Sequence, residues 1–255
     1  MNRIELRKQS SDNQAGPQIE LEGGLFTSSS SCPGKHTIFA PMHYEPNYAY
    51  PLLVWLHGHG GDERQLKRIM PLISMRNYVA VAPRGVLPAD GAKGFTWGGS
   101  SATASDAAQR VFECVDAVKD RFNIAAHRVF LAGFECGGTM AFRIALQYPG
   151  QFAGALTVGG PFPADGNPLS ELRRARRLPL FIAQGRESSA YPLDRTCEEL
   201  CLFHAAGLSV TLRQYPGGDE LSTQILHDID VWVMEQVTGV PSEANRETSE
   251  YLDLN

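Results

Sequence analysis

The residues best suited to chemistry lie where an apolar run stops. Arg128 to Gly138 reads RVFLAGFECGG, a buried strand ending at Gly133, followed by Phe134, Glu135 and Cys136 and then a helix opening on Gly137 and Gly138. Small residues two before and two after a central position permit the strained strand-to-helix turn known as a nucleophile elbow, which lifts one side chain over a sheet. Here that side chain is Glu135, a carboxylate where a hydroxyl or thiol would be the usual nucleophile. A second glycine-rich stretch, His57-Gly58-His59-Gly60-Gly61, follows the apolar run LLVWL. The backbone N–H groups of such a loop can approach a developing negative charge. Of its histidines, His57 reads as a structural hydrogen-bonding residue at a strand end and His59 as the one to face a cleft. Cys136 with His59 as base would be a thiol nucleophile, but a small thiol packed beneath the turn is the simpler reading.

An elbow needs a sheet below it and helices beside it. Short β-branched or leucine-rich runs at 35–44, 50–56, 78–82, 128–132, 152–158, 178–183 and 209–214, bounded by Gly, Pro or Asn, predict strands. Between them the period changes. Ala104, Ala107, Ala108, Val111, Phe112, Val115, Val118 and Phe122 step by three and four, which predicts a helix with Arg110, Glu113, Lys119 and Asp120 on its polar side. Shorter helical patterns cover about 63–76, 138–148, 193–206 and 223–237. LLVWLHG and RVFLAG are apolar on both faces, as parallel strands covered on two sides must be. The expectation is a single α/β domain at 19–241 with a mostly parallel central sheet and helices on both faces, flanked by polar tails at 1–18 and 242–255.

With these motifs in this order, the chain resembles the α/β-hydrolase superfamily, most closely its compact phospholipase/carboxylesterase branch with polyester depolymerase-like and acyl-protein-thioesterase-like members. The resemblance covers roughly 35–239 and implies the three-layer α/β-hydrolase fold. It makes His59, Gly60 and the Cys136 amide the oxyanion loop and places Trp97, Glu187 and Tyr191 around a possible pocket. That branch's elbow usually reads GFSQGG; this one reads GFECGG. The segment IAQGRESSAYP puts Ser188 where the family has its acid, and QYPGGDELS puts Asp219 where it has its histidine. All three triad-equivalent positions, Glu135, Ser188 and Asp219, therefore depart together. A serine hydrolase needs a hydroxyl, an imidazole that takes and returns its proton, and a carboxylate to orient that imidazole. None of the three stands in its place. A carboxylate at 219 would need its pKa lifted from about 4 toward neutrality to replace the imidazole.

Three accounts of Glu135 stand open. It fills the hole it once served, accepting the loop's N–H groups itself. It is a covalent nucleophile in the manner of the aspartate of dehalogenase-like and epoxide-hydrolase-like relatives. Or it shares a proton or a divalent cation with Asp219, and with Glu187 or Glu220. The first predicts a catalytically degenerate relative with a ligand-binding or interaction role. The other two predict a non-serine hydrolase or lyase using Glu135 and Asp219, with His59 or a divalent cation.

Composition limits the other classes. With 255 residues, 23 basic against 28 acidic side chains and a net charge of -5, the chain gives no reason to expect nucleic acid as a partner. Five cysteines are an odd number in no CxxC pattern, which reads as reduced thiols and no cofactor or metal site. Cys197 and Cys201, four apart on a helix, lack further ligands in a metal-site pattern. The cluster Arg173, Arg174, Arg176 and Arg177 reads as a solvated helix face or turn. The first residues lack the apolar stretch of a signal peptide and no run is long enough to span a bilayer, so a cytoplasmic placement without membrane contact is expected. A small molecule in the residual cleft and self-association both fit this composition.

Overall fold

The computed structural model describes residues 25–29 and 34–240. The expected tails and Cys32 lie outside the described residues. In chain order the elements are β1 (Phe26–Ser29), β2 (His36–Phe39), β3 (Tyr50–Leu56), α1 (Gln65–Ile73), β4 (Val79–Pro83), β5 (Leu87–Pro88), β6 (Phe95–Thr96), α2 (Ser101–Lys119), β7 (Ile124–Phe134), α3 (Cys136–Gln147), β8 (Gly154–Val158), α4 (Leu172–Ala175), β9 (Leu180–Gly185), α5 (Leu193–Ala206), β10 (Val210–Tyr215) and α6 (Thr223–Thr238). Eight strands form one sheet in the order β1-β2-β4-β3-β7-β8-β9-β10. β1 and β2 join it antiparallel, and every other pairing is parallel.

Side-chain alternation explains why β3 and β7 are apolar throughout. Along β3, Leu52, Val54 and Leu56 enter the core beneath α2 and α3. Leu53 and Trp55 enter the opposite core with residues of α1 and α6. A strand at the centre of a three-layer structure has no polar face to offer, because a successive pair of residues always points into two different apolar layers. The Ala104-to-Val118 stripe of α2 is buried as its period requires. Local signals set the helix ends. Ser100 and Ser222 accept the N–H groups of Thr103 and Ile225 at 3.2 Å each, and Gly207 and Gly239 close α5 and α6 in left-handed conformation at φ 68° and 69°. Arg110 departs from the expected solvated face of α2: its Nη1 reaches over the sheet to the carbonyls of Arg84 and Gly85, at 3.1 and 3.0 Å. No helix among the described residues is long and apolar enough to cross a membrane.

Candidate functional site

The site forms above the carboxyl ends of β3, β7, β9 and β10. Glu135 joins β7 to α3 with φ 48° and ψ −121°, a conformation that non-glycine residues rarely hold. The turn closes because its neighbours lack side chains. A Cβ on Gly137 would collide with the carbonyl oxygens of Leu56 and His57, so α3 could not rest against the end of β3 with any other residue there. The elbow expected at Gly133 to Gly137 is therefore present in backbone form.

The Glu135 carboxylate is directed to the glycine loop. The His59 N–H donates to its Oε2 at 3.2 Å. A Cβ on Gly58 would lie only 2.7 Å from that same oxygen, so the close approach depends on glycine. Burial raises the pKa of the Glu135 carboxyl, the His59 amide and ring draw it down, and the charge of Asp219 pushes it up, with a net upward result.

Beneath the loop, His57 is fully buried. Its Nε2 accepts the Gly85 N–H at 2.9 Å and its Nδ1 lies 2.8 Å from the Gly58 carbonyl, the pattern of a neutral ring protonated on Nδ1. Burial, followed by smaller opposing influences, lowers its pKa. His57 is thus a strut between the loop and the end of β4. His59 is exposed, with its Nε2 3.3 Å from the Asp90 carbonyl. The Cys136 sulfur contacts the Thr96 hydroxyl at 3.6 Å, and burial raises its pKa, so the thiol stays protonated and makes a poor nucleophile.

Ser188 and Asp219 come into direct contact. The Ser188 hydroxyl donates to Asp219 Oδ1 and accepts the Tyr191 N–H at 2.9 Å. Asp219 Oδ2 accepts from the Ser189 N–H at 3.2 Å, the Ser189 hydroxyl at 3.1 Å and the Ala190 N–H at 3.4 Å. The bond from Ser188 first, against burial and with help from Ser189 and Ala190, lowers the pKa of Asp219. An ionised carboxylate bound by four donors ties the loop after β9 to the loop after β10. It is poorly suited to shuttling protons near neutrality.

The three residues expected around a pocket take other places. Trp97 is fully buried under the glycine loop, donating from Nε1 to the His57 carbonyl at 2.8 Å. Tyr191 is fully buried and donates to Glu199 at 2.5 Å. Both belong to the core because each aromatic ring fills interior volume while its polar atom finds an interior acceptor. Glu187 is exposed, and it is its backbone N–H that participates, donating to the Gly217 carbonyl at 2.9 Å. Among the described residues no group of three His, Cys, Asp or Glu side chains is arranged to hold a metal ion. Cys197 and Cys201 are exposed free thiols. In the arginine cluster, Arg173 and Arg174 lie on α4, and Arg176 donates to the last carbonyl of α5, that of Ala206, at 2.8 Å. Thr96 and Arg110, which support the site, had no signal in the sequence, since their roles rest on partners distant along the chain.

A mostly parallel eight-stranded sheet of this order, with helices on both faces and a strained turn after its central strand, defines an α/β-hydrolase fold. The esterase family, described as "Putative esterase", matches residues 27–165, and the chain belongs to that family. Among solved structures, the carboxylesterase from Mesorhizobium loti is 17% identical with a TM-score of 0.68, covering 83% of this chain and 99% of that one. The Bacillus cereus carboxylesterase is 18% identical with a TM-score of 0.64, covering 81% and 96%. In sequence, the bifunctional acetylxylan esterase/xylanase XynS20E of Neocallimastix patriciarum is 28% identical over 151 residues, which are 58% of this chain. The match spans only 20% of that larger protein.

Proposed function

We propose that this esterase-family protein has lost serine-esterase turnover and keeps the scaffold for ligand binding or interaction. The observation that carries the reading is the Glu135 carboxylate at the elbow, with Oε2 on the His59 amide. A carboxylate in that place takes up a donor of the kind that would stabilise the oxyanion of acyl transfer, and it brings negative charge where a tetrahedral intermediate would develop its own. Further support comes from the committed state of Asp219: a carboxylate held ionised by Ser188, Ser189 and Ala190 has no proton to return to a leaving group. A cavity of about 460 Å³ borders the loop after β8, walled by Phe162, Pro163, Leu169 and Leu202 with Arg195 and Glu199, and offers room for a small ligand.

The test is hydrolysis of p-nitrophenyl acetate and butyrate by the wild type, E135A, D219A and the triple variant E135S/S188D/D219H. The wild type is expected to match E135A. Wild-type turnover well above background that disappears in both E135A and D219A would overturn the reading in favour of carboxylate chemistry. Esterase activity gained by the triple variant would add that the remaining loop is competent.

A further inference from the structure

Arg143 lies on α3 about two turns beyond the elbow and is only 8% exposed. Among the described residues the ion pairs join Arg64 to Asp62, Arg84 to Glu63, Arg195 to Glu199 and Arg213 to Asp228, and none engages Arg143. Its Nη1 donates to the Gly99 carbonyl at 2.5 Å, and its buried Nε has no partner. A guanidinium keeps its charge at any pH a folded protein tolerates. An unpaired buried cation is strongly unfavourable unless an anion meets it.

The place where it emerges is suited to one. Gly99 directly precedes Ser100, the N-cap of the 19-residue helix α2. The first turn of that helix carries no acidic side chain, so the positive end of its dipole is uncompensated. Ser100 caps the Thr103 N–H, while Ser101 and Ala102 are exposed and their N–H groups belong to a first turn without intrahelical acceptors. Across from this end stands Gly166. Apart from Gly166 and its two chain neighbours, the one atom within 4 Å of its Cβ position is Arg143 Nη1, at 4.0 Å, so the guanidinium borders open space between the loop before α2 and the loop after β8.

We propose that this corner binds a phosphate-class oxyanion, as free inorganic phosphate or as the phosphoryl end of an organic molecule. A phosphoryl group presents three acceptor oxygens, which match a planar guanidinium, the first-turn N–H groups of α2 and the Ser101 hydroxyl; a carboxylate has two. The site is independent of whether Glu135 performs chemistry.

Thermal unfolding of the full chain tests this, in sodium phosphate against sodium chloride at equal ionic strength, with titration calorimetry using inorganic phosphate and glycerol phosphate. Phosphate at a hundredfold excess over its Kd is expected to raise Tm by about 5–10 °C beyond chloride. R143M should abolish that rise. S101E puts a carboxylate on an exposed first-turn position, where it favours the helix and competes with the ligand, so it should fold normally and weaken phosphate binding at least tenfold. Tighter binding of glycerol phosphate than of phosphate identifies an organic phosphoryl ligand, and equal binding identifies phosphate itself; both uphold the site. A phosphate effect no larger than that of chloride, or an S101E variant that binds phosphate as the wild type does, overturns it.

Discussion

Glu135 is subject to opposing preferences at a single residue. Its backbone holds φ 48° and ψ −121°, a conformation that costs about 1–3 kcal/mol outside glycine. Its side chain gains the His59 amide but is half-buried and within reach of the Asp219 charge, and the net effect is a carboxyl that ionises less readily than the ordinary value of 4.5. The consequence for stability has a definite sign. A carboxyl whose folded pKa lies above its unfolded one stabilises the native state below the unfolded value, and that contribution is lost as pH rises through the folded value. E135Q keeps the shape and an acceptor for the His59 amide and does not titrate. Its stability relative to the wild type should therefore increase between pH 4.5 and pH 8, by about 1 kcal/mol or less because solvent screens a half-exposed group. Urea midpoints across that range measure the difference. A difference that stays flat with rising pH would mean that folding leaves this carboxyl unshifted, and one that shrinks would mean that the ionised form is the favoured one.

At the scale of elements, the elbow is a junction where β3, β7 and α3 meet without side chains. Gly137 faces two backbone carbonyls, which cannot rotate away as a side chain can. G137A should destabilise the fold by about 2–3 kcal/mol, read from urea unfolding, with the main-chain turn at Glu135 displaced. A loss below half a kcal/mol would show that α3 can withdraw from β3 without penalty. This junction was legible in the residues Arg128 to Gly138, because a strained turn between close-packed backbones dictates small residues at fixed spacing. Periodicity likewise placed α5 at 193–206, where it is found, since Gly207 ends it in left-handed geometry. β7 begins at Ile124, earlier than the apolar run at 128, because the stretch through His127 and Arg128 is only partly covered and carries polar side chains. The two-residue strands β5 and β6 carry no period at all and owe their pairing to the loop they close. The glycine loop was visible by composition. Trp97 and Tyr191 were misplaced at a pocket because an aromatic residue near a site motif looks the same in sequence whether its ring fills the core or lines a cavity; the deciding fact is the distant acceptor, His57 for one and Glu199 for the other.

Across the whole molecule, the loops at the carboxyl end of the sheet are joined by charged contacts that span the chain. Glu63, after the glycine loop, holds Arg84 at the end of β4 through a two-pronged pair at 2.7 and 2.6 Å. The Arg84 guanidinium also lies 4.5 Å from the centre of the Phe95 ring, and the Arg84 carbonyl receives Arg110 from α2. Burial raises the Glu63 pKa, but the bonds from Arg84 outweigh it and hold the carboxyl below its usual range. A depressed folded pKa gives the sign opposite to that of Glu135: the contribution is present above the unfolded value and is lost as pH falls through the folded one. With 23 basic side chains against 28 acidic ones, protonating carboxylates also turns a chain of net charge -5 strongly positive, which adds self-repulsion in acid. The side chains in the pair are 20% and 7% exposed, so solvent screens them little. E63Q should therefore cost about 2 kcal/mol at pH 7, the scale of a hydrogen bond to a charged group. The two stability curves should converge as pH falls from 4.5 through the lower folded value of Glu63, because the wild-type carboxylate then becomes protonated as well. Equilibrium urea unfolding of both proteins from pH 7 to pH 3 measures the gap. If it were as wide at pH 3 as at pH 7, the loss in E63Q would come from packing, and the ion pair would not be what fastens the glycine loop to the sheet.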